Sequence, residues 1–453
     1  MDKKELYKKM DDSAFDFDKL ANEVWGYAEV NYNEYKSVEA EMSYLKKAGF
    51  RINEKAAGVD TAFTAEYGNG KPVIAILGEY DALDGLSQVE DVDYPCIKDG
   101  ITTGHGCGHN LLGTAAVEAA IGVAEYIKAN KCSGTVKYCG TPAEEGGGGK
   151  IYMIKGGCFD DVDVAISWHP ANVSRVMGGS LATVTTIFEF QGIASHAAEA
   201  PEKGRSALDA AELTNVGVQF LREHVSDDVR IHYAFHDVGG KRPNIVQSSS
   251  SLYYVVRALD MENAKKVYKR VCKIAEGAAL MTETKLLPNT VCNSYTNVIP
   301  NDVLTKVLFD NSKNIYPLSF TQDEEEYARK YNVAVADDDE KTYDGQFKAE
   351  VYPFSGSTDF GDVSWVVPSI GFDGCTYAAD TVAHSWAWTA QGKSSGAHKG
   401  MHAAAKLMSG IAIDLLNDNS LVEAARSEFD KRMEGRHYES LRPTDMPPIN
   451  FYK

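Results

Sequence analysis

The sequence has no excess of basic residues. Its 453 residues include 46 Lys and Arg against 65 Asp and Glu, which gives a formal net charge of −19. The basic residues are scattered rather than gathered into a stripe, so a polyanion would meet repulsion over most of the surface. We therefore expect no nucleic-acid partner.

Long hydrophobic runs are also missing. The N-terminal segment MDKKELYKKMDDSAFDFDKL is charged and has no apolar core of the kind that a secretory signal requires. The most apolar helical stretch, Leu111 to Ile127, is interrupted by Glu118 and Glu125, whereas a membrane span needs about 20 mostly apolar residues. We expect neither secretion nor contact with a membrane.

Cysteines are too few and too dispersed to indicate a disulfide framework. The eight cysteines lie at positions 96, 107, 132, 139, 158, 272, 292 and 375. We expect most of them to be free thiols, which favours a reducing compartment and hence the cytoplasm.

The sequence does contain enough apolar residues to form the cores of two domains, and its length also favours two domains. The first 180 residues alternate helical patterns with short apolar runs, as is typical of βα units and a mainly parallel sheet. From Leu181 the pattern becomes β-rich with intervening helices, and α/β character returns after Asn297, where Asn301 is expected to cap a helix. We predict a larger α/β domain formed by residues 1–180 and 298–453, with an α+β domain at 181–297 inserted into it.

Three apolar runs in the first part lead into acids or histidine. In open α/β sheets, ligands bind outside the carboxyl ends of the strands, so the residues that follow these runs are expected to share one cleft. The runs and their continuations are Pro72–Leu77 before Gly-Glu-Tyr-Asp81, Thr135–Cys139 before Gly-Thr-Pro-Ala-Glu-Glu145, and Val162–Ile166 before Ser-Trp-His169.

The segment Gly104-His-Gly-Cys-Gly-His109 adds two more candidate ligands. Its glycines permit a tight turn, and Asn110 is predicted to be the N-cap of a helix that starts at Leu111. Cys107 and His109 are therefore expected at the N-terminus of that helix.

These residue types suit metal-assisted hydrolysis of an amide. Near pH 7 that reaction needs a stronger nucleophile than water and a stabiliser for the oxyanion, and bound divalent metal ions supply both. Of two adjacent carboxylates, one can bind metal while the other holds the proton of the attacking water. The candidates form a mixed set suited to zinc or manganese: Cys107, His109, Glu144, Glu145, His169 and His384.

Each candidate also has a structural interpretation. A buried thiol beside a surface histidine explains Cys107 and His109, a solvated loop explains the Glu pair, and hydrogen-bonded core histidines explain His169 and His384. Their shared placement at strand ends or in Gly-rich turns favours a site.

The run from Gly146 to Lys150 invites comparison with a phosphate-binding loop. The comparison fails, because Glu144 stands where that motif needs Gly and Ile151 stands where it needs Ser or Thr. A nucleotide-binding function is therefore disfavoured.

Together these motifs resemble the metal-dependent aminoacylase and carboxypeptidase family that includes hippurate hydrolase and the plant auxin-conjugate amidohydrolases. Gly104–His109 is similar to that family's His-Ala-Cys-Gly-His element, and Thr141–Gly148 is similar to its Pro-Ala-Glu-Glu-Gly stretch. Ser195-His-Ala197 is similar to its lid-domain motif. Gly78–Leu83 and Ala165–Pro170 most resemble the branch that contains the B subunit of p-aminobenzoyl-glutamate hydrolase.

The resemblance implies an amidohydrolase that acts on an N-acyl amino acid, p-aminobenzoyl-glutamate or a related compound. It implies a metallopeptidase-like catalytic domain whose mixed, mainly parallel sheet is flanked by helices and binds two divalent metal ions, Mn²⁺ or Zn²⁺. The inserted domain would be a lid that also mediates homodimerisation, with a homologous partner subunit as the alternative.

Residue roles follow from the same resemblance. The metal ligands would be Cys107, His109, Glu145, His169 and His384. Glu144 would be the general base, Asp81 would orient a ligand, and His196 would reach the active site of the other subunit to stabilise the oxyanion. Asn244 would contact substrate. Apart from the resemblance, Arg242 is a candidate partner for a carboxylate of the substrate.

Some positions depart from the wider family and leave specificity open. Glu79 replaces an Asp, Asn110 stands where many members have Asp, and Thr358 replaces a Glu. A carboxylate product would need an Arg, and for Arg205 and Arg257 we favour a structural salt bridge. The rival functions are a non-catalytic or weakly active subunit of a hetero-oligomeric amidohydrolase and a metal-stabilised binding module.

Overall fold

The structure is a computed structural model and describes residues 1–352 and 356–442. Its strands are β1 Arg51–Glu54, β2 Phe63–Asn69, β3 Val73–Gly78, β4 Leu83–Asp84, β5 Thr103–Gly104, β6 Gly134–Gly140, β7 Val164–Ala171, β8 Ser174–Met177, β9 Ala182–Gln191, β10 Arg230–Asp237, β11 Ser249–Ala258, β12 Lys285–Leu286, β13 Thr290–Tyr295, β14 Phe347–Tyr352 and β15 Ser369–Cys375. Its helices are α1 Lys3–Tyr27, α2 Tyr35–Lys47, α3 His109–Asn130, α4 Gly149–Lys155, α5 Ala207–Leu221, α6 Met261–Met281, α7 Asp302–Ser312, α8 Gln322–Ala336, α9 Phe360–Ser364, α10 Trp386–Gln391, α11 Ser395–Asn417 and α12 Asn419–Arg432.

The larger sheet is mixed and has eight strands in the order β1-β2-β6-β3-β7-β15-β8-β14. Its centre, β6-β3-β7-β15, is parallel. Every residue of β3 is buried, because both faces of the sheet are covered, as is usual for parallel strands. Ile74 and Ile76 belong to the core that contains α3 and α11, whereas Val73, Ala75 and Leu77 belong to the core that contains α4 and α9. The predicted fold class, a mixed sheet flanked by helices, is confirmed.

The smaller sheet is antiparallel, with the order β10-β11-β9-β12 and with β13 paired to β9. Apolar side chains that include Phe188 and Tyr254 cover one face together with α5 and α6. The strands of this sheet lie between Ala182 and Tyr295. A division of the chain at residues 180 and 297 remains our proposal.

Two local predictions differ from the structure. β7 continues to Ala171, so His169 lies inside a strand and pairs with Asp373 of β15 rather than following the strand. The prediction that Asn110 is an N-cap is wrong: α3 begins at His109, after Gly108 with φ 82°. Asn110 instead donates to the carbonyl of Gly392 inside the core, because the left-handed Gly108 starts the helix two residues earlier.

The predicted cap at Asn301 and the predicted free thiols are confirmed. Asn301 caps α7 by accepting from the N–H of Leu304. All eight cysteines are free. Among the helices that the structure describes, none combines the length and the apolar character that crossing a bilayer requires.

Candidate active site

A cleft of about 930 Å³ lies between the carboxyl end of the larger sheet and one face of the smaller sheet. Five of the predicted residues line it, namely Cys107, Glu144, Glu145, His169 and His384. Two more, His109 and Asp81, are fully buried and contact this set. Residues that are far apart in the chain therefore meet in one place.

The side-chain donor atoms form overlapping groups of a size that fits a cation. In each group the donor atoms lie within 4.8 Å of one another, and the thiol of Cys107 belongs to two groups. A thiolate shared between neighbouring positions, with imidazole and carboxylate around it, suits divalent metals such as zinc or manganese. The groups are Cys107 with His109 and His169, Cys107 with Glu145 and His384, and Glu79 with His109 and Glu144.

His109, which is buried, and His169, which is partly buried, are both oriented through Nδ1. Nδ1 of His109 lies 2.9 Å from Oδ1 of Asp81, and Nδ1 of His169 donates to the carbonyl of Pro170 at 2.7 Å. This leaves Nε2 of each ring for a metal, the usual arrangement of histidine ligands. Nε2 of His109 is buried and makes no hydrogen bond among the described residues; Oε2 of Glu79 lies 3.3 Å from it, and a cation bound by both atoms would fit this pair.

The loop that carries the two glutamates is anchored by its backbone. Ala143 donates its N–H to Oε1 of the buried Glu34 at 2.9 Å, and the hydroxyl of Tyr295 donates to the carbonyl of Glu144 at 2.7 Å. The N–H of Glu145 donates to Oδ2 of Asp81 at 2.9 Å. Because the backbone is held at these points, the two adjacent carboxylates are directed to different partners.

The two glutamates have opposite pKa shifts. Burial, with repulsion from Glu79 and Glu145, raises the pKa of Glu144 well above its usual value. Burial acts in the same direction on Glu145, but His384 and His109 outweigh it and lower the pKa of Glu145. Neighbouring acids whose pKa values are driven apart are what a division between proton carrier and anionic ligand needs.

His384 reaches the cleft from the loop after β15. Its backbone N–H donates to the carbonyl of Gly106 at 2.7 Å, which fixes it beside the Gly-rich turn. Its Nε2 lies 3.2 Å from Oε1 of Glu145. His384 has a positive φ of 59°, an uncommon conformation for a residue with a side chain that often accompanies function.

The other three predicted residues lie elsewhere. His196, Arg242 and Asn244 are exposed on the smaller domain, where the N–H of Ala197 donates to the carbonyl of Asn244. None of the three is among the residues that line the cleft. The role of His196 in the site of a second copy and the substrate contacts of Asn244 and Arg242 therefore stay predictions.

Two arginines in the cleft were not predicted as site residues, although Arg257 was considered as a partner for a carboxylate before a structural salt bridge was favoured. Arg175 lines the cleft and pairs with Asp373 at 2.9 Å, and Arg257 lines it while donating to Oγ of Ser357. The alternation of side chains along β11 was a usable signal. The residues on either side of Arg257 face the core, so Arg257 faces the opposite side of the sheet. Arg205, by contrast, forms the expected salt bridge, with Glu283 at 2.8 Å.

A family model described as peptidase family M20/M25/M40 matches residues 75–431. The chain belongs to this family. The B subunit of p-aminobenzoyl-glutamate hydrolase from Escherichia coli (strain K12) is 36% identical, and the alignment covers 98% of this chain and 99% of that protein. The Xaa-Arg dipeptidase of Mus musculus is 29% identical, with 95% of this chain and 93% of that protein covered.

Solved structures share the fold. The YXEP protein of Bacillus subtilis, a dinuclear metal binding peptidase of the M20 family, superposes with a TM-score of 0.62 at 14% identity. The superposition covers 91% of this chain and 99% of that one. This M20/M25/M40 protein is an enzyme that hydrolyses amide bonds of acyl amino acids, and the family resemblance of its motifs is confirmed.

Proposed function

We propose that this enzyme uses two divalent metal ions, Mn²⁺ or Zn²⁺, to release an acidic amino acid from an aryl- or acyl-amide such as p-aminobenzoyl-glutamate. The observation that carries the proposal is the convergence of five donor side chains on one cleft with Glu144 alongside them. The proposed ligands are Cys107, His109, Glu145, His169 and His384.

In this proposal the chain's own groups move the protons. Bound divalent metal supplies an acidified water and a polarised carbonyl. Glu144 accepts the proton of the attacking water and passes it to the leaving amine. Asp81 keeps His109 and the backbone of Glu145 in place, and His196 of a second copy stabilises the oxyanion.

Two basic side chains in the cleft could bind the carboxylate of an acidic substrate. Arg175 and Arg257 line the cleft, and a guanidinium pairs well with a carboxylate. One relative is named for an aminobenzoyl-glutamate and another for Xaa-Arg dipeptides, and the two arginines are the reason that we propose the acidic product. Arg242 and Asn244 of a second copy would add contacts to the substrate.

The decisive experiment assays the purified chain alone, loaded with Mn²⁺ or Zn²⁺, on p-aminobenzoyl-glutamate, benzoylglycine and an acyl-arginine dipeptide. We expect the glutamate compound to give the highest kcat/KM. Glu144→Gln should keep its metal content while kcat falls by about 10²- to 10⁴-fold. Full activity in that variant would refute the role of Glu144.

The same assay tests the second candidate, a weakly active subunit. The Escherichia coli relative is named as one of two kinds of subunit of its hydrolase, and the other kind is also similar to this chain, which supports a homologous partner. Turnover by the chain alone would dismiss that candidate, whereas turnover only after addition of a homologous subunit would establish it. We also propose a cytoplasmic location, which the eight free cysteines support.

A further inference from the structure

A lysine is completely buried beside the candidate metal ligands. Lys150, the second residue of α4, has no exposed surface. Its ammonium lies 2.5 Å from Oδ1 of Asp359 and 2.7 Å from Oε1 of Glu79. Burying a cation is costly unless it is paired, and here two buried carboxylates pair with it.

Glu79 has a second oxygen that Lys150 does not use. This oxygen, Oε2, lies 3.3 Å from Nε2 of His109, the atom that orientation by Asp81 leaves for a metal. Oxygens of Glu79 and Glu144 lie within 4.8 Å of each other and of His109. Glu79 thus spans the distance from the buried ammonium to the candidate metal site.

Asp359 does not share this second role. Its Oδ1 pairs with the ammonium of Lys150. Its Oδ2 accepts from the backbone N–H of Lys150 at 3.1 Å. Both oxygens of Asp359 are therefore occupied by Lys150. Both acids pair with the ammonium of Lys150, but only Glu79 also faces His109.

We propose that Glu79 is a further metal-binding carboxylate, held by Lys150 through Oε1 so that Oε2 is directed at the position beside Nε2 of His109. Lys150 is then a positioning residue, which acts through Glu79 and offsets the negative charge of the neighbouring acids. A fixed carboxylate loses little freedom when it binds a cation, which strengthens binding. The inference rests on the proposed metal site but not on any substrate.

The test titrates the metal-free enzyme with Co²⁺ and follows the d–d absorption bands together with calorimetric affinity. Glu79→Gln should weaken at least one Co²⁺ site by about tenfold or more and change its bands. Asp359→Asn, the matched control, removes a charge from the same lysine and should leave Co²⁺ affinity within about threefold. Each variant also removes one carboxylate partner of Lys150. Thermal unfolding of the two metal-free variants measures the loss of stability that this causes in both.

Wild-type affinity and bands in Glu79→Gln would overturn the proposal. Equal weakening in both variants would also overturn it, because the acids would then act only through Lys150. If Glu79→Gln does not fold, Glu79→Asp replaces it: the shorter carboxylate keeps the charge, and unchanged Co²⁺ affinity would refute direct binding. Since no substrate is used, failure of the aminobenzoyl-glutamate assay leaves this result intact.

Discussion

Asp81 serves two ligands with one side chain. Its Oδ1 faces Nδ1 of His109, and its Oδ2 accepts from the backbone of Glu145. Only 1% of the surface of Asp81 is exposed, so water cannot replace either contact. At this scale the site depends on the chemical identity of single oxygen atoms.

Replacement of Asp81 with Asn should therefore weaken metal binding. An amide nitrogen would face either the N–H of Glu145 or the ring of His109, and two donors cannot pair. We expect metal affinity to fall by about 10- to 100-fold, measured by competition with a chelating dye. Asp84→Asn, an exposed carboxylate three residues later, is the control and should retain wild-type affinity.

The N-terminus of α3 shows how an element places a site. Gly108 lies between Cys107 and His109 with φ 82°, and a Cβ there would lie 2.5 Å from the hydroxyl oxygen of Tyr377. Glycine is needed for both the left-handed backbone and the close approach. The turn therefore sets the directions of two candidate ligands at once.

Gly108→Ala should lower the free energy of unfolding by about 2 to 4 kcal/mol, from backbone strain and the clash. Urea unfolding measures this effect. Gly277→Ala is the control, because Gly277 lies within α6 and a Cβ there meets nothing within 4 Å. That variant should be stabilised, by up to about 1 kcal/mol; equal destabilisation of the two would contradict the argument.

A second prediction concerns the packing of α1, α3 and α11. Nδ1 of His402 lies 2.7 Å from Glu118, and its Nε2 lies 2.9 Å from Asp18. Burial alone would lower the pKa of His402, but these two acids raise it to about 10. His398, whose pKa is lowered by burial, also contacts Asp18, and Lys406 acts on Glu118.

The raised pKa makes stability depend on pH. An unfolded histidine releases its proton near pH 6.5, whereas folded His402 keeps it to about pH 10. The contribution of His402 to the free energy of unfolding is therefore complete below pH 6.5. It is lost as the pH rises from 6.5 to about 10. Urea unfolding should show a decline of up to about 5 kcal/mol that His402→Gln removes; the exposed His224→Gln should retain it.

At the scale of the whole molecule, the distance between His196 and the cleft matters most. His196 is exposed and does not line the cleft of its own chain. A homodimer in which each copy completes the other's site would explain a histidine with this placement. The exposed residues Arg242 and Asn244 would then act in the same way.

Mixing two inactive variants tests this arrangement. Glu144→Gln keeps His196, and His196→Ala keeps Glu144, so a mixed dimer contains one complete site. After subunit exchange at equal concentrations, we expect about a quarter of wild-type activity, since half of the dimers are mixed and each has one working site. A mixture that stays inactive, with mixed dimers shown by mass spectrometry, would rule the arrangement out.

The strands β3 and β6 were the most predictable part of this protein. β3 and β6 lie within two residues of the apolar runs from which they were predicted, because a strand buried on both faces is a continuous apolar segment. The N-terminus of α3 was misplaced, since the φ of Gly108 is set by tertiary contacts with Tyr377 and Pro170. Likewise, nothing local indicates that Lys150 pairs with residues more than 70 positions away.

The sequence by itself determined the layered fold and the set of candidate ligands, because hydrophobic periodicity and residue chemistry are local properties. Only the tertiary structure decided which oxygen of Glu79 faces His109, that Arg257 enters the cleft, and that His196 does not. These are distances between residues far apart in the chain. They depend on how layers pack, and packing sums many small contacts that no short segment encodes.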